Sequence, residues 1–190
     1  RQADQCFGLV LEALEQSGLA EDTLVLFTTD HGVAFPWMKC TLFDTGIGVA
    51  LILRFPNGSH RGKVIDALVS HLDIFPTLCE YTGIPLPSRL EGQSLIPLVD
   101  GQTDTIRQEI YAEVTYHAAY EPMRCIRSQR YKYIRYFDNF PTTITTNIDW
   151  CPSKDFLLEN GLREQPHKPS EMLFDLYFDP AERNNLAANS

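Results

Sequence analysis

Apolar residues recur at helical spacing near the start of the chain. Phe7, Val10, Leu11 and Leu14 share one face of a 3.6-residue repeat, and Gly18 is a fitting C-terminal stop. The pattern then changes. Leu24-Val25-Leu26-Phe27 is a short unbroken apolar run between polar residues, which predicts a buried parallel strand over 23–28. Val49-Ala50-Leu51-Ile52-Leu53 predicts a second buried strand, ended by Pro56-Asn57-Gly58. Asp73 can cap a helix that runs to about Tyr81, with Pro76 tolerated in its first turn and Gly83 closing it. Strand, loop, strand and helix in this order are the signature of an α/β layered fold.

A stretch rich in proline and glycine covers 85–101, and the pattern beyond it differs. Segments 110–114, 123–128, 131–137 and 172–178 predict strands, with Ser128-Gln129-Arg130 as a hairpin turn. Tyr131, Tyr133 and Arg135 alternate with Lys132, Ile134 and Tyr136, the period of a strand with two unlike faces. This half reads as an antiparallel sheet with some helix. A boundary near residue 102 is therefore expected, dividing the chain into 1–101 and 102–190. The stretch 140–170 is polar and irregular, with a short helix predicted near 156–160.

Composition narrows the function classes. The net charge of −9 argues against non-specific nucleic-acid binding, which needs a basic stripe. It leaves room for an anionic small substrate, because a local basic pocket can sit on an acidic surface. None of the five cysteines (Cys6, Cys40, Cys79, Cys125, Cys151) forms a CxxC pair, so a structural zinc site is not expected. No apolar run is long enough for a transmembrane helix, and no stretch reads as a signal peptide. The chain opens without Met, directly into the first predicted helix, so the expectation is that the natural N-terminus lies upstream.

Candidate chemistry begins at Asp30-His31-Gly32, just after the first predicted strand. In open α/β sheets, ligands bind at the carboxyl ends of strands. A carboxylate and an imidazole there can hold a metal together, or they can be a loop cap and a solvated histidine. Lys39 follows and can neutralise a developing anion, or it is a surface lysine. His117 and Arg124, in EVTYHAAYEPMRCIR, are further polar candidates near the start of the antiparallel half. His71 reads as a structural or helix-start histidine. Cys40 lies beside Lys39, which could lower its pKa, but no His/Asp arrangement supports a cysteine nucleophile.

Together these segments resemble the sulfatase family within the alkaline-phosphatase-like superfamily. LEALEQSGLAEDTLVLFTTDHG resembles the family's helix-strand-metal segment, and KCTLFDTGIGVALILRFP its lysine-bearing loop and following strand. SHLDIFPTLCEYTGIPLPSRLEGQSLIPLVDG resembles the family's D-x-x-P-T helix and G-I-P…G-x-S-L loop. RYKYIRYF and EMLFDLYFDPAERNNLA resemble its C-terminal strands. The matches follow the family's order. The step from Asp-His-Gly through Ala-Phe-Pro to Lys39, with EVTYHAAYEPMRCIRS and NFPTTITTNIDWCPSKDFLLENG, is similar to the heparan N-sulfatase (sulfamidase) branch.

The resemblance implies part of an alkaline-phosphatase-like α/β sandwich followed by a small C-terminal antiparallel α+β domain. It implies that Asp30 and His31 are two ligands of a single divalent cation, usually Ca2+, and that Lys39 grips the sulfate group. His117 and Arg124 become candidates for substrate recognition. The implied partner is a sulfated glycan, with secreted, periplasmic and lysosomal placements all suitable. What is missing matters equally. Family catalysis uses a formylglycine made from a C/S-x-P/A-x-R motif, and no cysteine here fits; Cys151-Pro152-Ser153-Lys154 has the wrong order and no Arg. The family's upstream Asp-Asp metal pair is also absent. The expectation is thus the C-terminal portion of a sulfuric ester or sulfamate hydrolase, needing an N-terminal part that carries the nucleophile. The rival expectations are a phosphonate or phosphodiester hydrolase of the same superfamily, and a non-catalytic binding or assembly module.

Overall fold

A computed structural model describes residues 2–140, 142–165 and 168–189. The chain forms two compact units, Arg1–Thr29 with Ala50–Val64, and Asp30–Val49 with Ile65–Ser190. The expected boundary near residue 102 falls inside the larger unit.

The smaller unit holds helix α1 (Gln2–Gln16) and strands β1 (Val25–Thr28) and β2 (Leu51–Arg54). Gly18, at φ +74°, ends the helical run in the left-handed conformation that glycine adopts without strain. Phe7, Leu11 and Leu14 form the half-buried face of α1, whereas Val10 is exposed. The Phe7 ring meets Phe27 of β1 with centroids 4.9 Å apart. β1 and β2 pair antiparallel, with Leu26 opposite Leu53 and Phe27 opposite Ile52. This corrects the expectation of buried parallel strands. An apolar run reports burial but not direction, and here the run is only half-buried.

The larger unit is built on an antiparallel meander in the order β3-β4-β5-β6: Glu109–Tyr116, Tyr120–Ser128, Tyr131–Tyr136 and Glu171–Asp175. Ser128 closes the predicted hairpin, its Oγ accepting from Tyr131 N at 2.9 Å and donating to the Tyr131 carbonyl at 3.1 Å. β6 stops before Phe178 because the Asp175 carbonyl accepts from Asp179 N (2.8 Å) and its carboxylate from Tyr177 N (3.2 Å), which turns the chain. One sheet face carries the core: Met123, Cys125, Ile134, Tyr136, Met172, Phe174 and Leu176, with Leu42 packed on them from the loop ahead of helix α2 (Asp44–Ile47).

Helix α3 (Ile74–Thr82) ends at Gly83 (φ +71°), as its sequence predicts. Its start differs from expectation. Asp73 makes no cap bond to the helix; its buried carboxylate accepts from Ser70 N (2.7 Å) and Gln93 N (2.9 Å) and pairs with Arg107. Ser70 instead caps the short turn His71–Asp73 ahead of the helix, accepting from Leu72 N at 3.3 Å. Helix α4 (Ile96–Val99) follows, and helix α5 (Pro152–Glu159) starts ahead of the segment predicted helical.

Candidate functional site

The segment from Asp30 into α2 carries three of the predicted site residues, and its shape follows from two glycines, Gly32 and Gly46. Gly32 N donates to the Gly46 carbonyl at 2.9 Å, and Val33 N to the Thr45 carbonyl at 3.2 Å. The backbones approach so closely that a Cβ at Gly32 would lie 2.0 Å from the Thr45 oxygen, and one at Gly46 2.2 Å from the Met38 oxygen. Lys39 N donates back to the Val33 carbonyl at 3.1 Å, folding 33–39 into a compact hook. Trp37 (φ +60°) and Cys40 (φ +62°) are both left-handed without being glycine. Such conformations cost on the order of 1 kcal/mol each and persist where surrounding contacts fix the chain, often at functional sites. They bracket Lys39.

The hook opens on a cavity of about 550 Å³. Asp30, His31, Lys39, His71 and His117 all line it, with Ser70 and Glu113 on its walls. Four of the five predicted site residues thus share one space. The fifth, Arg124, does not line it. Its guanidinium pairs with Glu113 at 2.8 Å, across the β3–β4 register, and donates to the Val114 carbonyl at 3.0 Å and Thr115 Oγ1 at 3.1 Å. His71 opens the short turn ahead of α3, as its sequence suggests.

His31 Nδ1 lies 2.7 Å from the Gly32 carbonyl, which can only accept, so Nδ1 carries the proton. In the neutral ring Nε2 is then a lone pair, and it lies 3.7 Å from Asp30 Oδ1. Two acceptors facing each other suit a shared cation. The Asp30 carboxylate is 89% exposed, however, and no group of three or more metal-binding side chains exists among the described residues. Calcium takes about six to eight oxygen ligands, so Asp30 and His31 do not by themselves make a calcium site.

Lys39 has a partner the sequence did not point to. Its Nζ donates to Asp149 Oδ2 at 2.7 Å. This bond holds the Asp149 carboxyl below its ordinary range, with the charges of His117 and His31 acting in the same direction, and it raises Lys39 above its own. Asp149 sits in the irregular segment before α5, which is fixed by buried polar contacts. Asn147 Oδ1 accepts from Ala118 N (3.0 Å) and Ala119 N (2.8 Å), locking the turn that presents His117. Its Nδ2 donates to Glu121 at 3.0 Å, and Glu121 is met by Lys168 at 3.1 Å. Lys154 Nζ donates to the Ile148 carbonyl at 2.6 Å. A lone aspartate in NIDWCPSK carries no sequence signal for this placement.

Thiolate chemistry is not favoured at Cys40 or Cys125. Burial pushes the Cys125 thiol up to about 11 and raises Cys40 despite the neighbouring Lys39. No helix among the described residues is long and apolar enough to cross a membrane.

Residues 32–150 match the family described as N-sulphoglucosamine sulphohydrolase, C-terminal. The chain is 32% identical over 175 residues to the ulvan-active sulfatase of Formosa agariphila, covering 90% of this chain and 34% of the relative. It is 31% identical over 212 residues to the N-sulphoglucosamine sulphohydrolase of Homo sapiens, covering 98% and 41%. Among solved structures, a Bacteroides thetaiotaomicron protein described as a sulfatase superposes with a TM-score of 0.69 at 27% identity, covering 94% of this chain and 34% of that one. A protein solved with its substrate D-glucosamine-2-N,6-O-disulfate has the same fold, with a TM-score of 0.74 at 22% identity, covering 97% and 34%. The chain spans about a third of the length of the first of these relatives.

Proposed function

The chain belongs to the sulfatase family, matching the C-terminal region of its members, and on that premise we propose that it is part of a sulfuric ester or sulfamate hydrolase acting on sulfated glycans. The observation that carries the reading is the convergence of Asp30, His31, Lys39 and His117 on one cavity. Two relatives are active on ulvan and on N-sulphoglucosamine by name, which supports a sulfated sugar as substrate. In this reading residues 1–101 complete the catalytic α/β sandwich of the alkaline-phosphatase-like type, and 102–190 form the small C-terminal domain.

Each residue then has a task its surroundings allow. Lys39 has one N–H committed to Asp149 and two left for the oxygens of a bound sulfate. Positive charge held there favours the charge that develops on the transferring group. His117 stands in the same cavity on a turn locked by Asn147, where an imidazole can donate to a sugar oxygen or to the sulfate. Arg124, bound into the sheet by Glu113, would support the cavity wall rather than touch substrate. Asp30 and His31 would be two ligands of a calcium ion whose other ligands lie outside these residues. The formylglycine nucleophile would likewise come from a part of the enzyme N-terminal to them.

The test is sulfate release by the full-length enzyme from N-sulfoglucosamine and from an O-sulfated glucosamine, with a phosphodiester and a phosphonate as controls. Lys39→Ala is expected to lower kcat/KM for the sulfated sugar by about 100-fold or more, the scale for losing one preorganised charge-stabilising donor. Undiminished activity in Lys39→Ala, or preferential hydrolysis of the phosphorus compounds, would overturn the reading.

A further inference from the structure

The Lys39–Asp149 contact poses a problem that the gripping role of Lys39 does not solve. A carboxylate 2.7 Å from the ammonium repels the anion that the ammonium is there to attract. The pairing is not needed to hold its own segment. Asn147 and Ile148, the two preceding residues, are already tied to Ala118, Ala119, Glu121 and Lys154. Asp149 is 43% exposed, and among the described residues its second oxygen, Oδ1, has no protein partner. One oxygen therefore faces Lys39, which lines the cavity, and the other is left without a protein partner beside that contact.

We propose that Asp149 is a specificity-determining residue: Oδ1 accepts a hydrogen bond from a sugar hydroxyl adjacent to the sulfate held by Lys39. The pair then reads a sulfate group and a neighbouring hydroxyl together. A bare anion meets the repulsion of the carboxylate without its compensation, whereas a sulfated sugar turns the same carboxylate into a partner. Selectivity arises as a difference of affinities, with a repulsive element set against the wrong ligand. An acceptor built for a hydroxyl discriminates strongly, because a ligand lacking it leaves the charged oxygen unmatched. The inference rests on the reading of Lys39 as the anion grip.

The experiment is calorimetric titration of the full-length protein, its formylglycine-forming residue substituted so that ligand is bound and not hydrolysed, with inorganic sulfate and with N-sulfoglucosamine, comparing the otherwise wild-type chain, Asp149→Asn and Lys39→Ala. Asparagine keeps the shape of Asp149 and removes its charge, at a position exposed enough to tolerate the change. In Asp149→Asn, inorganic sulfate should bind about 2- to 5-fold more tightly, the scale of a partly exposed charge pair. N-sulfoglucosamine should bind at least about tenfold more weakly, the scale of a lost hydrogen bond to a charged group. A substitution that moves both ligands by the same factor, including no change at all, overturns the role of Asp149. Failure of the wild-type protein to bind inorganic sulfate, or full binding retained in Lys39→Ala, overturns instead the anion-site reading on which that role depends.

Discussion

Truncating Asp73 to alanine should be among the most damaging single changes in the larger unit. The side chain is 0% exposed, and Arg107, its partner, is 13% exposed. Asp73 also accepts from two backbone donors, Ser70 N and Gln93 N, which belong to otherwise separate loops. Burial by itself would raise this carboxyl, but Arg107 and the two backbone N–H groups outweigh it and hold the pKa below the ordinary range. Removing one member of a buried pair costs about 3–5 kcal/mol, because the other charge is left unmatched. Water entering the vacated space would recover part of what the backbone donors lose, so about 4 kcal/mol is expected. That is a large share of the roughly 5–15 kcal/mol that stabilises a domain. Both tryptophans, Trp37 and Trp150, lie in the larger unit, so urea unfolding followed by their fluorescence reports on it. The sign of the pH dependence follows from the lowered pKa. The contribution is fully present above the unfolded value of about 3.9 and is lost as pH falls through the folded value. The gap between wild type and Asp73→Ala should stay level from about pH 8 to about pH 5 and narrow only below about pH 4. A gap under about 1 kcal/mol, or one already narrowing between about pH 7 and pH 5, would refute the reasoning.

Two further outcomes are expected. Gly46→Ala places a Cβ 2.2 Å from the Met38 oxygen and 2.6 Å from the Thr41 oxygen, so the hook must shift. A loss of about 2 kcal/mol or more by the same unfolding assay should accompany weaker sulfate binding, whereas half-buried Gly8, with nothing within 4 Å of its added Cβ, should tolerate alanine. Alkylation with iodoacetamide near neutral pH, read by peptide mass spectrometry, should mark exposed Cys6 first. It should spare Cys79 and Cys125 until the protein unfolds, since both are buried and the Cys125 thiol is pushed up to about 11.

What the sequence made legible was local, and what it concealed was carried by distant partners. The alternation over 131–136 placed Lys132 on the same face as Ile134 and Tyr136, and the structure keeps it there. Nothing in that pattern says that a lysine can be fully buried. It can because Asp44, the first residue of α2, and Glu182, beyond β6, both reach its Nζ, the latter at 2.7 Å. Arg127 closes the arrangement by pairing with Asp44 at 3.0 Å, and Asp44 N donates to Glu182 at 2.6 Å. This cluster fixes α2, whose Gly46 packs against the hook that presents Lys39. The direction of β1 and β2 escaped notice for a related reason: pairing is a property of two segments, and an apolar run describes one. The same division runs through the candidate site. Asp30, His31 and Lys39 lie within ten residues of one another and are legible as a motif. Asp149 reaches Lys39 across 110 residues of chain, from a segment with no regular period. A hook that presents a cation can be written in a short stretch of sequence. The carboxylate that qualifies which anion it accepts has to be brought by the fold, and there a single aspartate acquires meaning only from what it touches.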